Sequence, residues 1–289
     1  MMKVEKLSND NMKDFSILLD EAKIKNQFIK DFFKYYHSKS FIHRYLIRKN
    51  VLLIKFNNIF IGYIWLEAFS LNSTKIYDIY INEEYLRYFT GKLLLILKTK
   101  IATIECFEND YSVALFKALD MTRVRLTYLM KYVTDKAEKI SSPENINFRL
   151  YENKKDAHIR CELQNKIFYH NSRVPLNLDD IYYDEKQDYY LNNFSVFIML
   201  NGKEIGYGQI IYSCNMYLIV NFGILKEYRG KGYGKLLLNE LINIAKKNNI
   251  LDKLYIRVDF NNTIAFDLYA ASGFEKIGNF STWMWTKNY

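Results

Sequence analysis

Apolar and polar positions along the chain mark out two stretches built in the same order. In the first, the strand-like runs VLLIKF (51–56) and IFIGYIWLE (59–67) flank Asn57-Asn58. In the second, FSVFIML (194–200) and EIGYGQIIY (204–212) flank Asn201-Gly202. Asn-Gly between two such runs is a strong hairpin signal, because both central residues must take positive φ. Each hairpin leads into a strand, a turn and a helical pattern, over 76–98 and 217–241. Glu84-Tyr85 corresponds to Glu227-Tyr228, and Gly91-Lys92-Leu93-Leu94 to Gly234-Lys235-Leu236-Leu237, at one constant offset and without a gap. Asn109 to Phe116 then mirrors Asn262 to Tyr269. The stretch 134–147 between the halves is polar, holds Pro143 and reads as a linker. The pattern predicts two α+β domains, 1–133 and 148–289, each a mixed, mostly antiparallel sheet flanked by helices.

Candidate chemistry is concentrated in the second half. The apolar run YLIVNFGI (217–224) predicts a strand, and Leu237, Leu241, Ile244 and Ala245 recur at helical spacing. Between them lies Lys226-Glu-Tyr-Arg-Gly-Lys-Gly-Tyr-Gly234, a basic, glycine-rich turn. A helix N-terminus presents unpaired N–H groups and the positive end of its dipole, so such a turn suits a phosphate. Gly230, Gly232 and Gly234 lack Cβ atoms and let an anion approach the backbone, while Arg229 and Lys231 add charge. A plainer reading is a tight loop with capping glycines. Two other phosphate motifs are excluded. A Walker A loop needs Ser or Thr after Gly-Lys, where this chain has Leu236, and the dinucleotide fingerprint needs a different glycine spacing. Farther on, Leu254, Ile256 and Val258 predict a short strand. A helix follows from Asn262, with Ile264, Ala265, Leu268 and Tyr269 on one face and Gly273-Phe274 at its end.

Arg229-x-x-Gly232-x-Gly234, followed by Asn262-x-x-Ala265-x-x-Leu268-Tyr269-x-x-x-Gly273-Phe274, resembles the GNAT superfamily of acyl-CoA N-acyltransferases over about residues 194–289. The two-domain arrangement is similar to tandem members such as the mycothiol synthase type. The resemblance implies acetyl-CoA as cosubstrate, with no metal. Phe222, Gly223 and Ile224 would hydrogen-bond the pantetheine arm through their backbone. Arg229, Gly230, Lys231, Gly232, Tyr233 and Gly234 would hold the pyrophosphate. Asn262 would contact the pantetheine, and Tyr269 would act as general acid on the departing thiolate. Plainer readings stand beside these: Asn262 as an N-cap and Tyr269 as a core tyrosine. In the first half Leu86, Phe89 and Thr90 stand where Arg229, Gly232 and Tyr233 do, and Phe116 stands for Tyr269. That half therefore reads as a degenerate, non-catalytic copy.

Composition narrows the classes further. Hydrophobic residues make up 49% and charged residues 25%, as in a globular protein able to build a sizeable core. The net charge of +9 is spread over scattered lysines rather than one basic run, which argues against nucleic acid and suits a polyanionic cosubstrate. No apolar run is long enough for a membrane span. Three isolated cysteines with no CxxC pair argue against a zinc site, and with a charged N-terminus they point to the cytosol. The acceptor is read only as a primary amine, small or peptidic, bounded by 165–190, where Asp179, Asp180 and Asp184 are candidates for attracting it or serving as base. The competing classes are a non-catalytic acyl-CoA sensor and a nucleic-acid binder. Oligomeric state is not legible.

Overall fold

The computed structural model describes residues 2–26, 28–69, 72–89, 91–133, 143–171 and 173–287. The chain divides into two compact units, Met1–Thr127 with Gly278–Tyr289, and Tyr128–Ile277. The first half contributes β1 (Met2–Lys6), α1 (Met12–Lys25), α2 (Phe32–His37), α3 (Phe41–Lys49), β2 (Val51–Phe56), β3 (Ile59–Phe69), β4 (Ser73–Ile81), β5 (Ile101–Phe107), α4 (Asp110–Ala118) and β6 (Thr122–Tyr132). The second half contributes β7 (Ile146–Leu150), α5 (Ala157–Ile167), α6 (Leu178–Glu185), β8 (Ser195–Leu200), β9 (Lys203–Ser213), β10 (Met216–Ile224), α7 (Tyr233–Lys247), β11 (Leu254–Asp259), α8 (Thr263–Ala271) and β12 (Phe274–Thr286). No helix among the described residues is long and apolar enough to cross a membrane.

The two units repeat one strand order. In the first it is β1-β2-β3-β4-β5-β12, and in the second β7-β8-β9-β10-β11-β6. Strands β1–β2, β2–β3, β3–β4, β5–β12, β7–β8, β8–β9 and β9–β10 pair antiparallel, while β4–β5 and β10–β11 are parallel. Each last strand comes from the other half of the chain. Residues 280–286 of β12 pair with 101–107 of β5, while Met130 and Tyr132 of β6 lie in the core of the second unit. The reading by sequence order gives 122–133 to the first domain and 278–289 to the second. The compact units instead put 128–133 in the second and 278–289 in the first. Apolar alternation makes β6 and β12 strands but does not say which edge takes them. Of the expected linker, 134–142 lies outside the described residues, and Ile146 and Asn147 already belong to β7.

Turn chemistry follows the expected rule. Asn201 and Gly202 take φ of 50° and 79°, and Asn57 and Asn58 take 46° and 69°, so both hairpins turn through left-handed residues. In the second unit α7 lays Leu237, Leu241 and Ala245, all fully buried, against Ile198, Ile210, Ile219 and Ile256 of the sheet. The opposite face takes Leu163 and Ile167 of α5 over Phe197 and Tyr207. In the first unit Phe15 of α1 packs edge-on between Phe32 and Tyr63, with ring centroids 4.7 and 5.1 Å away. Its other face is filled by Leu93, Leu94 and Leu97 from a 3-10 stretch, Gly91–Leu97.

Asp78 lies inside the first unit and accepts a hydrogen bond from the Tyr63 hydroxyl. Burial pushes its carboxyl up to about 6. A carboxyl that is easier to protonate folded than unfolded stabilises the fold at acid pH, and that contribution is lost as pH rises through the folded value. Urea midpoints measured from about pH 4 to pH 7 should therefore fall more steeply for the wild type than for Asp78→Asn. Parallel profiles would show that Asp78 does not titrate in this range.

Candidate functional site

The site starts from a parting of two strands. β10 and β11 pair in parallel only at Tyr217–Leu254, Leu218–Tyr255 and Ile219–Ile256. Both continue, β10 to Ile224 and β11 to Asp259. On its other side β10 stays paired with β9 to Ile224, through a bulge in which Asn221 and Phe222 oppose Gly208 alone. Asn221 takes φ 51°, and its Nδ2 donates to Gln209 Oε1 at 3.2 Å. Residues 220–223 thus lie on an edge of β10 that no longer pairs with β11, able to take a ligand's amide groups as an added strand. Gly223 is required by packing: a Cβ there would come 2.4 Å from Ile167 Cγ2.

The loop after β10 prepares an anion site. Gly230 and Gly232 hold φ of 75° and 83°, a conformation costly for any other residue, and open space surrounds both Cα atoms. Gly232 caps α7, its carbonyl accepting from Lys235 N at 3.0 Å and Leu236 N at 3.3 Å. The N–H groups of Tyr233 and Gly234, in the first turn, have no intrahelical acceptor and face outward with the positive end of the dipole. Lys231 is exposed beside them, its Nζ 5.7 Å from the Tyr228 ring. A Cβ on Gly234 would stand 3.4 Å from Leu268 Cδ2, so α7 starts close against α8. Arg229 has an anchoring task. Its Nε donates to Ile224 O at 2.9 Å and its Nη2 to Ile167 O at 2.7 Å, tying the base of the loop to β10 and to the C-terminal end of α5.

α8 brings the remaining groups. Asn262 caps it, with Ala265 N donating to Oδ1 at 3.1 Å. Tyr269 is 6% exposed, and its ring lies 5.9 Å from Phe222 and 6.4 Å from Phe274. Burial pushes its phenol well above the ordinary range, so it stays protonated at neutral pH. Residues 222–224, 229–234, 262 and 269 all lie on the second unit, on β10, the loop after it, α7 and α8. Two of the three candidate acids are committed elsewhere: Asp180 and Asn177 cap α6 reciprocally, and Asp184 accepts from Arg160 and from the Tyr189 hydroxyl. Among the described residues no cluster of three or more His, Cys, Asp or Glu is placed to hold a metal ion.

The first unit has the same parting, since β4 and β5 pair only from Ser73–Ile101 to Ile76–Ile104. Its edge is closed by the chain itself. Tyr111 of α4 accepts from Ile81 N at 2.9 Å and donates to Ile81 O at 2.8 Å, and Ile81 is the counterpart of Ile224. Phe89, where Gly232 stands in the other unit, is buried in the core, and 3-10 turns replace the α7 helix. Phe116, the counterpart of Tyr269, packs 5.4 Å from Trp283. Sequence reasoning missed Tyr111; an aromatic in the first turn of the last helix was its signal. It also missed Asn221 and Gln209, because a bulge shows only in register.

Residues 161–274 match the family described as Acetyltransferase (GNAT) family. The chain carries a GNAT domain. N-alpha-acetyltransferase 50 from Danio rerio is 39% identical over 59 residues, which are 20% of this chain and 35% of that protein. The chain spans about a third of the length of the curated relatives that it matches. An acetyltransferase of the GNAT family from Colwellia psychrerythraea shares the fold at TM-score 0.60 and 14% identity, covering 99% of this chain and 100% of its own. A tandem GNAT protein from the clavulanic acid biosynthesis pathway shares it at TM-score 0.60 and 11% identity, with 82% of each chain covered. The tandem arrangement fits these likenesses.

The closed edge of the first unit and the open edge of the GNAT domain predict one acetyl-CoA per chain in a calorimetric titration. Two equal sites would contradict the closure by Tyr111.

Proposed function

We propose that the protein is an N-acetyltransferase that passes an acetyl group from acetyl-CoA directly to a primary amine. The observation that carries this reading is the parting of β10 from β11, bounded by the N-terminus of α7 on one side and Tyr269 on the other. Residues and ligand fit chemically. The left-handed glycines and free N–H groups at Gly232 to Gly234 suit a pyrophosphate. The edge of 220–223 that no longer pairs with β11 suits an extended arm that carries amides.

Acetyl-CoA, when bound, supplies the activated acyl carbon as a thioester. The chain's own groups do the rest. Backbone N–H groups at the bulge of β10 are fixed donors for negative charge at a carbonyl oxygen, and being part of the sheet they need no reorganisation. The Tyr269 hydroxyl holds a proton that it can give to a thiolate. Its raised affinity for that proton makes it a weaker acid than free tyrosine, but a thiolate cut off from water is a correspondingly stronger base. Asn262 fixes the start of α8 and with it the position of Tyr269. The amine must arrive deprotonated or lose its proton to water or a carboxylate; of the candidate acids Asp180 and Asp184 are engaged, which leaves Asp179.

Two substitutions test this. Tyr269→Phe keeps the packing on Phe222 and deletes one hydroxyl. Its unfolding midpoint should stay near wild type, while kcat falls by about 10²–10⁴-fold. An unchanged kcat would return Tyr269 to the core. Gly232→Val forces a β-branched residue to positive φ at the cap of α7, and acetyl-CoA affinity measured by calorimetry should drop at least tenfold, about 1.4 kcal/mol. Unaltered affinity would mean that the loop is not the phosphate site.

A further inference from the structure

Among the described residues Arg160 is the largest charged side chain that is buried, with 1% of its surface exposed. It projects from α5 onto the sheet, its guanidinium carbon 5.4 Å from the Tyr207 ring centre and 5.6 Å from that of Tyr151. A guanidinium carries five N–H donors. Nη2 donates to Asp184, whereas Nε and Nη1 are buried and have no partner. One helical turn farther along the same face, Gln164 is 2% exposed and its Nε2 is equally unpaired. A buried donor without an acceptor is unfavourable, and three such nitrogens on side chains one helical turn apart call for a group that accepts hydrogen bonds.

The cluster connects with the site already described. The Tyr207 hydroxyl donates to Gln209 Oε1 at 3.3 Å. The same oxygen accepts from Asn221 in the bulge of β10. A polar line therefore runs from the bulge, across Gln209 and Tyr207, to Arg160. All unpaired nitrogens at its far end are donors, and Arg160 is already balanced by Asp184. A bare alkyl chain would leave these donors unmet, and a second ammonium would meet only like groups. An oxygen acceptor satisfies them.

We propose that this cluster receives an oxygen group, carbonyl or carboxylate, borne by the amine substrate, with Arg160 and Gln164 as its binding residues. The acceptor class is thus an amine with a nearby carbonyl or carboxylate, rather than a plain alkylamine or a polyamine. The inference rests on the acetyltransferase reading above and names its second substrate.

Matched triplets of amines test it on the full chain. Thiol release from acetyl-CoA is followed with phenylalanine, phenylalaninamide and phenethylamine, and with leucine, leucinamide and 3-methylbutylamine. The expected result is that an oxygen-bearing member exceeds its alkylamine by about tenfold or more in kcat/KM, the worth of one hydrogen bond to a charged donor. The free acid leading identifies a carboxylate, and the amide leading identifies a carbonyl. Arg160→Met and Gln164→Leu should each reduce that advantage several-fold, mainly through KM. Gln164→Leu leaves the Arg160–Asp184 pair in place and serves if Arg160→Met fails to fold. Equal rates within the triplets would overturn the proposal. So would a lack of turnover with every oxygen-bearing amine, or variants that slow all amines alike. Calorimetry with acetyl-CoA separates the two levels: a chain that binds no acetyl-CoA sinks the acetyltransferase reading, while one that binds it and shows no oxygen preference sinks this proposal alone.

Discussion

Everything in the second unit turns on where one parallel ladder stops. After Ile219–Ile256, β10 and β11 cease to share hydrogen bonds. A sheet interior that opens in this way leaves peptide groups without partners, an unfavourable state unless they face water or a ligand. The divergence is held open from both sides. On one face Phe222 and Tyr269 pack against each other at the widening end. On the other, Gly223 lets Ile167 of α5 approach so closely that no side chain could replace its hydrogen. The bulge at Asn221 and Phe222 supplies the change of direction, because two residues there span what one spans on β9.

The loop and helix that follow depend on that geometry. Arg229 reaches back to Ile224 O and Ile167 O, so the turn starts at a fixed point relative to strand and helix alike. A guanidinium between two carbonyls also places positive charge at the last turn of α5, where the helix dipole favours it. Its cation therefore supports the loop from behind, and the loop's outward face is left to backbone N–H groups and Lys231. Leu237, Leu241 and Ala245 then fasten α7 to the sheet and fix the direction of its N-terminus.

Much of this was readable in the residues. The Asn201-Gly202 turn, the left-handed glycines and the capping by Asn262 are local, and local conformation is what a short pattern encodes. The place of Tyr269 beside the end of β10 was suggested only by the residues around it, since a helical tyrosine alone is ordinary core. What escaped was pairing over long separations. β6 and β12 each complete the sheet built by the other half of the chain, which sequence order alone does not reveal. The ion pair of Arg160 with Asp184 joins residues on different helices, so an acid that looked available from its position alone is committed. Asn221 looked like one polar residue in an apolar strand. Only the register with β9 shows it to be the point at which the strand bends.

The two units meet the same local constraint in different ways. Both units keep the parting of parallel strands, so both must satisfy an open backbone edge. The first does so with the Tyr111 hydroxyl, which acts as donor and acceptor at once to Ile81. Once that edge is satisfied internally, no anion site is needed beyond it, and the left-handed glycine turn becomes a liability in backbone entropy. Phe89 and the 3-10 turns that surround it recover stability by burying apolar surface where the other unit keeps a glycine loop. The two solutions exclude each other at this position: a side chain buried in the core cannot also be a bare, left-handed cap that offers its amides outward. A unit that has taken the first solution has given this edge to its own tyrosine, and the edge left open is the one on the second unit.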